Sequence, residues 1–263
     1  MGASELGRSS RPNKIRDLRG RIHRALIIAQ AQWGAGNATR RKGVGMTTSD
    51  AGTGGPKRDA NHKAFVVVVA GVARSGSTWL FNAARLLLQD RHPEVLAVWH
   101  EDYATEKRAV FPVHVVKLHK PADLVFQHDV LLTSRRDLAE RIASLIRMGW
   151  LERSPTAITG AARRERLLEE YWRGSTDLEV DYDAILLEPE QVLASIAAAL
   201  GLSPGAASIA AIATQLGALN GPDTQTYDPV TLMHPKHRAA ETERRELIEW
   251  VRETLATGSA KGV

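Results

Sequence analysis

Six apolar residues in a row, Phe65-Val66-Val67-Val68-Val69-Ala70, run without a break into Gly71-Val72-Ala73-Arg74-Ser75-Gly76-Ser77-Thr78-Trp79. A strand with no polar alternation has both faces covered, as in the interior of a parallel sheet. Gly71 and Gly76 let the chain turn and let its backbone approach a ligand closely. Residues 78–89 then carry Trp79, Ala83, Leu86 and Leu87 at helical spacing. A strand, a glycine-rich turn and a helix in immediate succession aim several backbone N–H groups and a helix N-terminus at one point. That arrangement suits a multiply charged anion.

The alternation continues downstream. Further strands are predicted at 94–99, 113–118, 129–133 and 177–182, and helices at 138–148, 156–173, 189–200, 204–216 and 239–255. The pattern predicts an α/β fold, a P-loop-like doubly wound domain with a central parallel β-sheet flanked by helices. With 263 residues, 43% of them apolar, the chain has enough material for one such domain over 61–263. No internal repeat interrupts it.

Composition narrows the chemistry. The chain has no cysteine, which excludes disulfides and thiolate metal sites. No apolar run approaches the roughly 18–20 residues of a transmembrane helix. The net charge of +5 is unevenly placed: residues 1–58 hold 12 Lys/Arg against 3 Asp/Glu, a local +9, which leaves −4 on the rest. Residues 1–60 read as a basic, flexible N-terminal extension with an amphipathic helix over 14–33. The acidic balance of the remainder gives no reason to expect a specific nucleic-acid partner. Without the apolar core and cleavage site of a secretory signal, the chain is expected to be cytoplasmic.

The loop spacing is G-x-x-x-x-G-S-T, one position away from the nucleotide-triphosphate loop G-x-x-x-x-G-K-S/T. Ser77 stands where that loop has its phosphate-reaching lysine, and the cation sits earlier, at Arg74. A kinase or ATPase without that lysine loses its main cation on the β- and γ-phosphates. A P-loop small-molecule kinase is therefore the alternative reading, and a non-catalytic anion-binding protein retaining the fold is another.

Arg74-Ser75-Gly76-Ser77-Thr78-Trp79-Leu80 resembles the 5′-phosphosulfate loop of the sulfotransferases, whose usual form is Lys/Arg-Ser/Thr-Gly-Ser/Thr-Thr-x-Leu. The resemblance implies that the co-substrate is 3′-phosphoadenosine 5′-phosphosulfate (PAPS) and that no metal is needed. It assigns Arg74 to the bridging and sulfonate oxygens, the backbone and hydroxyls of Ser75, Gly76, Ser77 and Thr78 to the 5′-phosphate, and Trp79 to the adenine. Arginine keeps the charge of the more common lysine but cannot give up a proton to the leaving group.

A second run, Leu131-Leu132-Thr133-Ser134-Arg135-Arg136, is followed by Ser144 eight residues after Arg136. This is similar to the family's 3′-phosphate element, which implies charge-assisted bonds from Arg136 and a hydroxyl contact from Ser144. Arg135 is the neighbouring candidate, and Glu140 stands where the family commonly has Asp. Tyr182, expected at a strand end, resembles a tyrosine that approaches the adenine; it reads equally well as a half-buried core residue. Arg238, in the basic cluster Met233-His234-Pro235-Lys236-His237-Arg238, is a candidate for a late loop closing over the 3′-phosphate.

Sulfuryl transfer is an in-line displacement in which charge builds on the leaving oxygen and the acceptor loses a proton. The site needs a cation at the first and a base at the second. Lys117 and His119 are two apart on a predicted strand and so share a face. They resemble the family's end-of-strand lysine and histidine, which implies His119 as general base and Lys117 as electrostatic helper. Glu101 and Asp102 are the second choice for the base. The implied function is transfer of a sulfuryl group to a hydroxyl or amine of a small-molecule or glycan acceptor. The loops that would shape the acceptor pocket carry no motif.

Overall fold

The structure, a computed structural model, describes residues 64–103, 111–219, 227–233 and 241–259. The expected extension at 1–60, its helix over 14–33 and Arg238 lie outside the described residues.

Five strands, β1 (Phe65–Ala70), β2 (Val95–Trp99), β3 (Val113–Lys117), β4 (Val130–Arg135) and β5 (Leu178–Asp181), form one sheet in the order β2-β3-β1-β4-β5. Every pairing is parallel. The helices are α1 (Ser77–Gln89), α2 (His100–Tyr103), α3 (Leu138–Arg147), α4 (Pro155–Arg173), α5 (Tyr182–Leu187), α6 (Pro189–Ala199), α7 (Ala206–Leu219) and α8 (Glu241–Ser259). The α/β fold with a helix-flanked parallel sheet is as the alternation predicts.

Because alternate strand residues face opposite sides, β1 feeds two cores. Val67 and Val69 pack with Leu80, Phe81 and Leu87 of α1 and Leu193 and Ile196 of α6. Val66, Val68 and Ala70 pack on the other face with Leu131 of β4 and Trp172 of α4. Val67, Val68 and Val69 are fully buried, and each contributes about 1.5–3 kcal/mol by leaving water. A third cluster joins α3, α4 and α8 through Ile142, Ile158 and Val251.

Strand order places the switch point beside β1. The chain steps from β1 to β2 and β3 on one side, then crosses to β4 and β5 on the other. The loops leaving β1, β3 and β4 therefore meet at one crevice at the carboxyl edge of the sheet, where open α/β sheets bind ligands.

Two expectations need correction. Tyr182 does not end a strand. Asp181 closes β5 and caps α5, its side chain accepting from the Asp183 N–H, so Tyr182 is the first helical residue. Strand β4 continues to Arg135 instead of stopping at Thr133, because Ser134 and Arg135 pair with Val180 and Asp181 of β5. The short helices α2 and α5 carry too few turns for a periodicity to be read from the sequence.

Candidate active site

The loop after β1 is shaped by three left-handed residues. Gly71, Arg74 and Gly76 have φ of 123°, 69° and 101°. A Cβ on Gly71 would meet the Ser134 carbonyl oxygen at 3.3 Å, and one on Gly76 would sit 2.9 Å from Cδ2 of Tyr182. Glycine at 76 is thus required both by its dihedral and by the ring against it. Helix α1 starts from Gly76 with no side-chain cap and no acidic residue in its first turn. Its first N–H groups and the positive end of its dipole are directed toward the loop end of the helix, where they suit an anion.

The Ser75 hydroxyl is turned into the protein. It donates to the Val72 carbonyl at 2.7 Å and accepts from Ser134 Oγ at 2.8 Å, fully buried. The expectation that this hydroxyl would hold an anion is therefore corrected: it ties the loop to β4. Ser77 is also buried. The Thr78 hydroxyl accepts from Lys117 Nζ at 2.5 Å.

That contact follows from strand geometry. Lys117 continues the face of Val113 and Val115, which is the face covered by α1. It is 4% exposed; burial first, and the Arg74 guanidinium second, push its pKa down to about 7. His119 lies two residues on. Its Nδ1 is 2.9 Å from the Gly71 carbonyl oxygen, which can only accept, so Nδ1 carries the proton and Nε2 keeps its lone pair. Burial, then the Lys117 charge, hold the imidazolium pKa down to about 3, partly offset by the bond to Gly71. The Trp99 ring stands edge-on to the imidazole with centroids 5.2 Å apart.

The second element abuts the first. Arg136 Nη1 reaches toward the Arg74 carbonyl oxygen at 3.5 Å, and Arg74 Nε donates to Ser144 Oγ at 2.8 Å. The loop after β1 and the start of α3 are thus contiguous. Arg136 also lies 4.0 Å from the centre of the Tyr182 ring and pairs with Glu140 at 2.7 Å. Glu140 in turn meets Arg244 of α8 at 3.2 Å. Arg135 points elsewhere, to Asp181 at 2.9 Å, so Arg136 is the arginine that faces the loop.

Beneath it, Arg141 is fully buried between Glu165 and Glu169 at 2.9 and 2.8 Å and donates from Nε to the Arg136 carbonyl at 3.1 Å. Arg141 fixes the backbone that carries Arg136, a role no motif announces.

Of the remaining expected residues, Trp79 is half-buried against the core on the α1 side. Glu101 and Asp102 are exposed on α2, whereas His119 is held at the crevice. Sequence reading missed Arg141 and Arg147. Arg147 is three residues beyond Ser144 on the same helix, a spacing that marks it once Ser144 is singled out. Among the described residues, no group of three or more His, Asp or Glu is arranged to hold a metal, and no helix is long and apolar enough to cross a membrane.

In sequence, no family model and no curated protein matches the chain. In structure, retinol dehydratase in complex with androsterone and the inactive cofactor PAP matches with a TM-score of 0.50 at 14% identity, over 75% of this chain and 82% of that one. A complex of retinol dehydratase with retinol and PAP matches at 0.48 and 14%, over 74% and 83%. A mouse sulfotransferase complexed with PAP matches at 0.44 and 13%, over 77% and 87%. The chain shares its fold, a five-stranded parallel sheet flanked by helices, with retinol dehydratase.

Proposed function

We propose that the protein is a sulfotransferase that moves a sulfuryl group from PAPS to a hydroxyl or amine of a small-molecule or glycan acceptor. The observation that carries this reading is the contact of two cationic elements at one sheet edge: Arg136 Nη1 lies 3.5 Å from the Arg74 carbonyl oxygen. A donor phosphorylated at both the 3′ and 5′ positions calls for two adjoining anion seats. PAP in the retinol dehydratase complex is in keeping with it.

The residues present fit such a donor. The uncapped start of α1 and the Thr78 hydroxyl suit the 5′-phosphosulfate. Arg136 and Ser144 suit the 3′-phosphate, and Trp79 and Tyr182 are the aromatic candidates for the adenine. Arg74 is half-buried, and its pKa is pulled to about 10 by desolvation and then by Arg147 and Arg136; a bound dianion would relieve that repulsion.

In the transfer step, the acceptor oxygen or nitrogen forms a bond to sulfur while the bond from sulfur to the bridging oxygen breaks. His119 Nε2 takes the acceptor's proton, and adenosine 3′,5′-bisphosphate leaves. Lys117, held on Thr78, is the cation that meets the charge on the leaving oxygen. Arg74, expected at that oxygen, is drawn toward Ser144 instead, so the leaving-group role passes to Lys117. Unlike arginine, Lys117 is also able to give up a proton there. Negative charge on the donor raises the basicity of His119 from its depressed value in the free protein.

The test is to incubate the protein with labelled PAPS and a panel of phenols, alcohols, sugars and amines, and to measure binding of adenosine 3′,5′-bisphosphate without magnesium. Transfer to any class of acceptor supports the reading. Magnesium-dependent ATP binding in place of bisphosphate binding overturns it in favour of a kinase. Bisphosphate binding with no turnover on any acceptor favours a non-catalytic protein.

A further inference from the structure

β2 and β3 run side by side as far as Trp99 and Lys117, the last pair in their register. Beyond that point the two chains diverge. β2 enters α2 at once, with His100 as its first residue, while β3 runs on through Leu118, His119 and Lys120 to a single 3-10 turn at Pro121–Asp123. A side-chain pair ties the two exits together: His100 Nε2 lies 3.4 Å from Asp123 Oδ2, both residues half-buried. A carboxylate only accepts, so Nε2 presents its hydrogen to Asp123 whether or not the imidazole is charged. None of the roles above uses this pair.

The Trp99 ring touches both His100 and the base. Its centroid is 4.8 Å from that of His100, with the planes tilted, and 5.2 Å from that of His119, edge-on. The rest of the indole packs on the α1 side of the core. After burial, Lys117 and Arg74, a charge on His100 also lowers the His119 pKa, so the two imidazoles lie within electrostatic reach. The bond from Nδ1 to the Gly71 carbonyl fixes one atom of the His119 ring, but the ring plane still swings about that bond. An edge-on aromatic neighbour supplies the second constraint. Asp123 holds His100, His100 lies against Trp99, and Trp99 lies against His119.

We propose that His100, held by Asp123, is a positioning residue for His119: it keeps the Trp99 ring against the imidazole, so that Nε2 stays aimed at the acceptor. This rests on the reading of His119 as the base. A reacting group is held in its productive geometry by side chains that are themselves locked by packing and hydrogen bonds. His100 touches neither donor nor acceptor in this role, and its effect is confined to the transfer step.

The full chain is compared with its His100→Ala, Asp123→Ala, Asp123→Asn and Trp99→Phe variants. Heteronuclear NMR of the imidazole nitrogens, assigned with His119→Ala, reads the His119 tautomer with no substrate present. Calorimetry reads affinity for adenosine 3′,5′-bisphosphate, and steady-state kinetics use PAPS with the acceptor identified by the panel above. The native protein carries the His119 proton on Nδ1 alone. In H100A and D123A the two nitrogens move toward the average of both tautomers, kcat falls about tenfold to a hundredfold, and bisphosphate affinity stays within about twofold. D123N, which keeps an oxygen for the Nε2 hydrogen, and W99F, which keeps an aromatic edge, retain most of kcat. H100A combined with His119→Ala is no slower than His119→Ala alone, because the group it positions is gone.

An unchanged His119 tautomer in H100A and D123A, a further loss of kcat in the double variant, or an equal loss of bisphosphate affinity overturns the proposal. Bisphosphate binding with no turnover on any acceptor overturns the transfer reading instead, and the NMR comparison then decides the role of the pair on its own. Asp123 stands at the outer end of this line of contacts, so D123A beside D123N reads the proposal even if H100A is less stable.

Discussion

His119 gives its Nδ1 proton to the Gly71 carbonyl across 2.9 Å, joining the residue beyond the end of β3 to the first residue of the loop that leaves β1. One hydrogen bond thereby fixes both the tautomer of the imidazole and its position relative to that loop. With Nε2 left as the acceptor, the ring is set to take a proton from the crevice side. Replacing it with alanine is expected to lower kcat about 10²–10⁴-fold, the usual contribution of a positioned base, while affinity for adenosine 3′,5′-bisphosphate changes little. Steady-state kinetics beside equilibrium binding separate the two effects; parallel losses in both would assign His119 to donor binding.

Lys117 sets a pH dependence of a definite sign. In the free protein its pKa is lowered to about 7, so the ammonium is lost as pH rises through that value. The kcat/KM for PAPS is expected to fall on the alkaline side of about pH 7, because that parameter reports the free enzyme. An anion at the site favours the charged form and raises the pKa again. Binding of adenosine 3′,5′-bisphosphate near pH 8 should therefore take up a proton, seen by calorimetry in buffers of different ionisation enthalpy and absent in Lys117→Met. Proton release on binding would contradict this account.

Ser75 and Ser134 predict a loss of stability in place of a loss of affinity. Ser75→Ala removes the donor to the Val72 carbonyl and leaves the Ser134 hydroxyl without its buried acceptor. The expected cost is about 1–3 kcal/mol, measured by chemical denaturation, with bisphosphate affinity largely retained. Were the hydroxyl a ligand for the 5′-phosphate, the order of the two effects would reverse.

At Gly76 a methyl group meets two obstacles. The backbone is left-handed, which costs a non-glycine residue about 1–2 kcal/mol, and the new Cβ falls 2.9 Å from the Tyr182 ring. Gly76→Ala is expected to displace Tyr182, which stacks on Arg136. It should lower the melting temperature and weaken bisphosphate binding together. Pairing it with Tyr182→Ala, which clears the space, should make the two binding losses less than additive.

Much of the fold was legible because its signals are local. The unbroken apolar run of β1 can exist only between two covering layers, and the alternation of strands and helices implies a parallel sheet. The reading went astray where a side chain competes with the backbone, as when Asp181 caps α5 and takes Tyr182 out of the strand. It also stopped one step short at the site. The motif named Ser75 as an anion ligand by its letter, whereas the side chain's direction depends on Ser134, 59 residues away.

The sequence by itself determined the central strand, the loop with its two glycines, and the spacing of Lys117 to His119 and of Arg136 to Ser144, since each lies within one element or one turn. Only the tertiary structure decided which groups meet: His119 with Gly71, Lys117 with Thr78, and Arg74 with Ser144. These pairs come from different strands and helices. Their approach is set by the order β2-β3-β1-β4-β5 and by the burial of both sheet faces, and no spacing along the chain encodes that order.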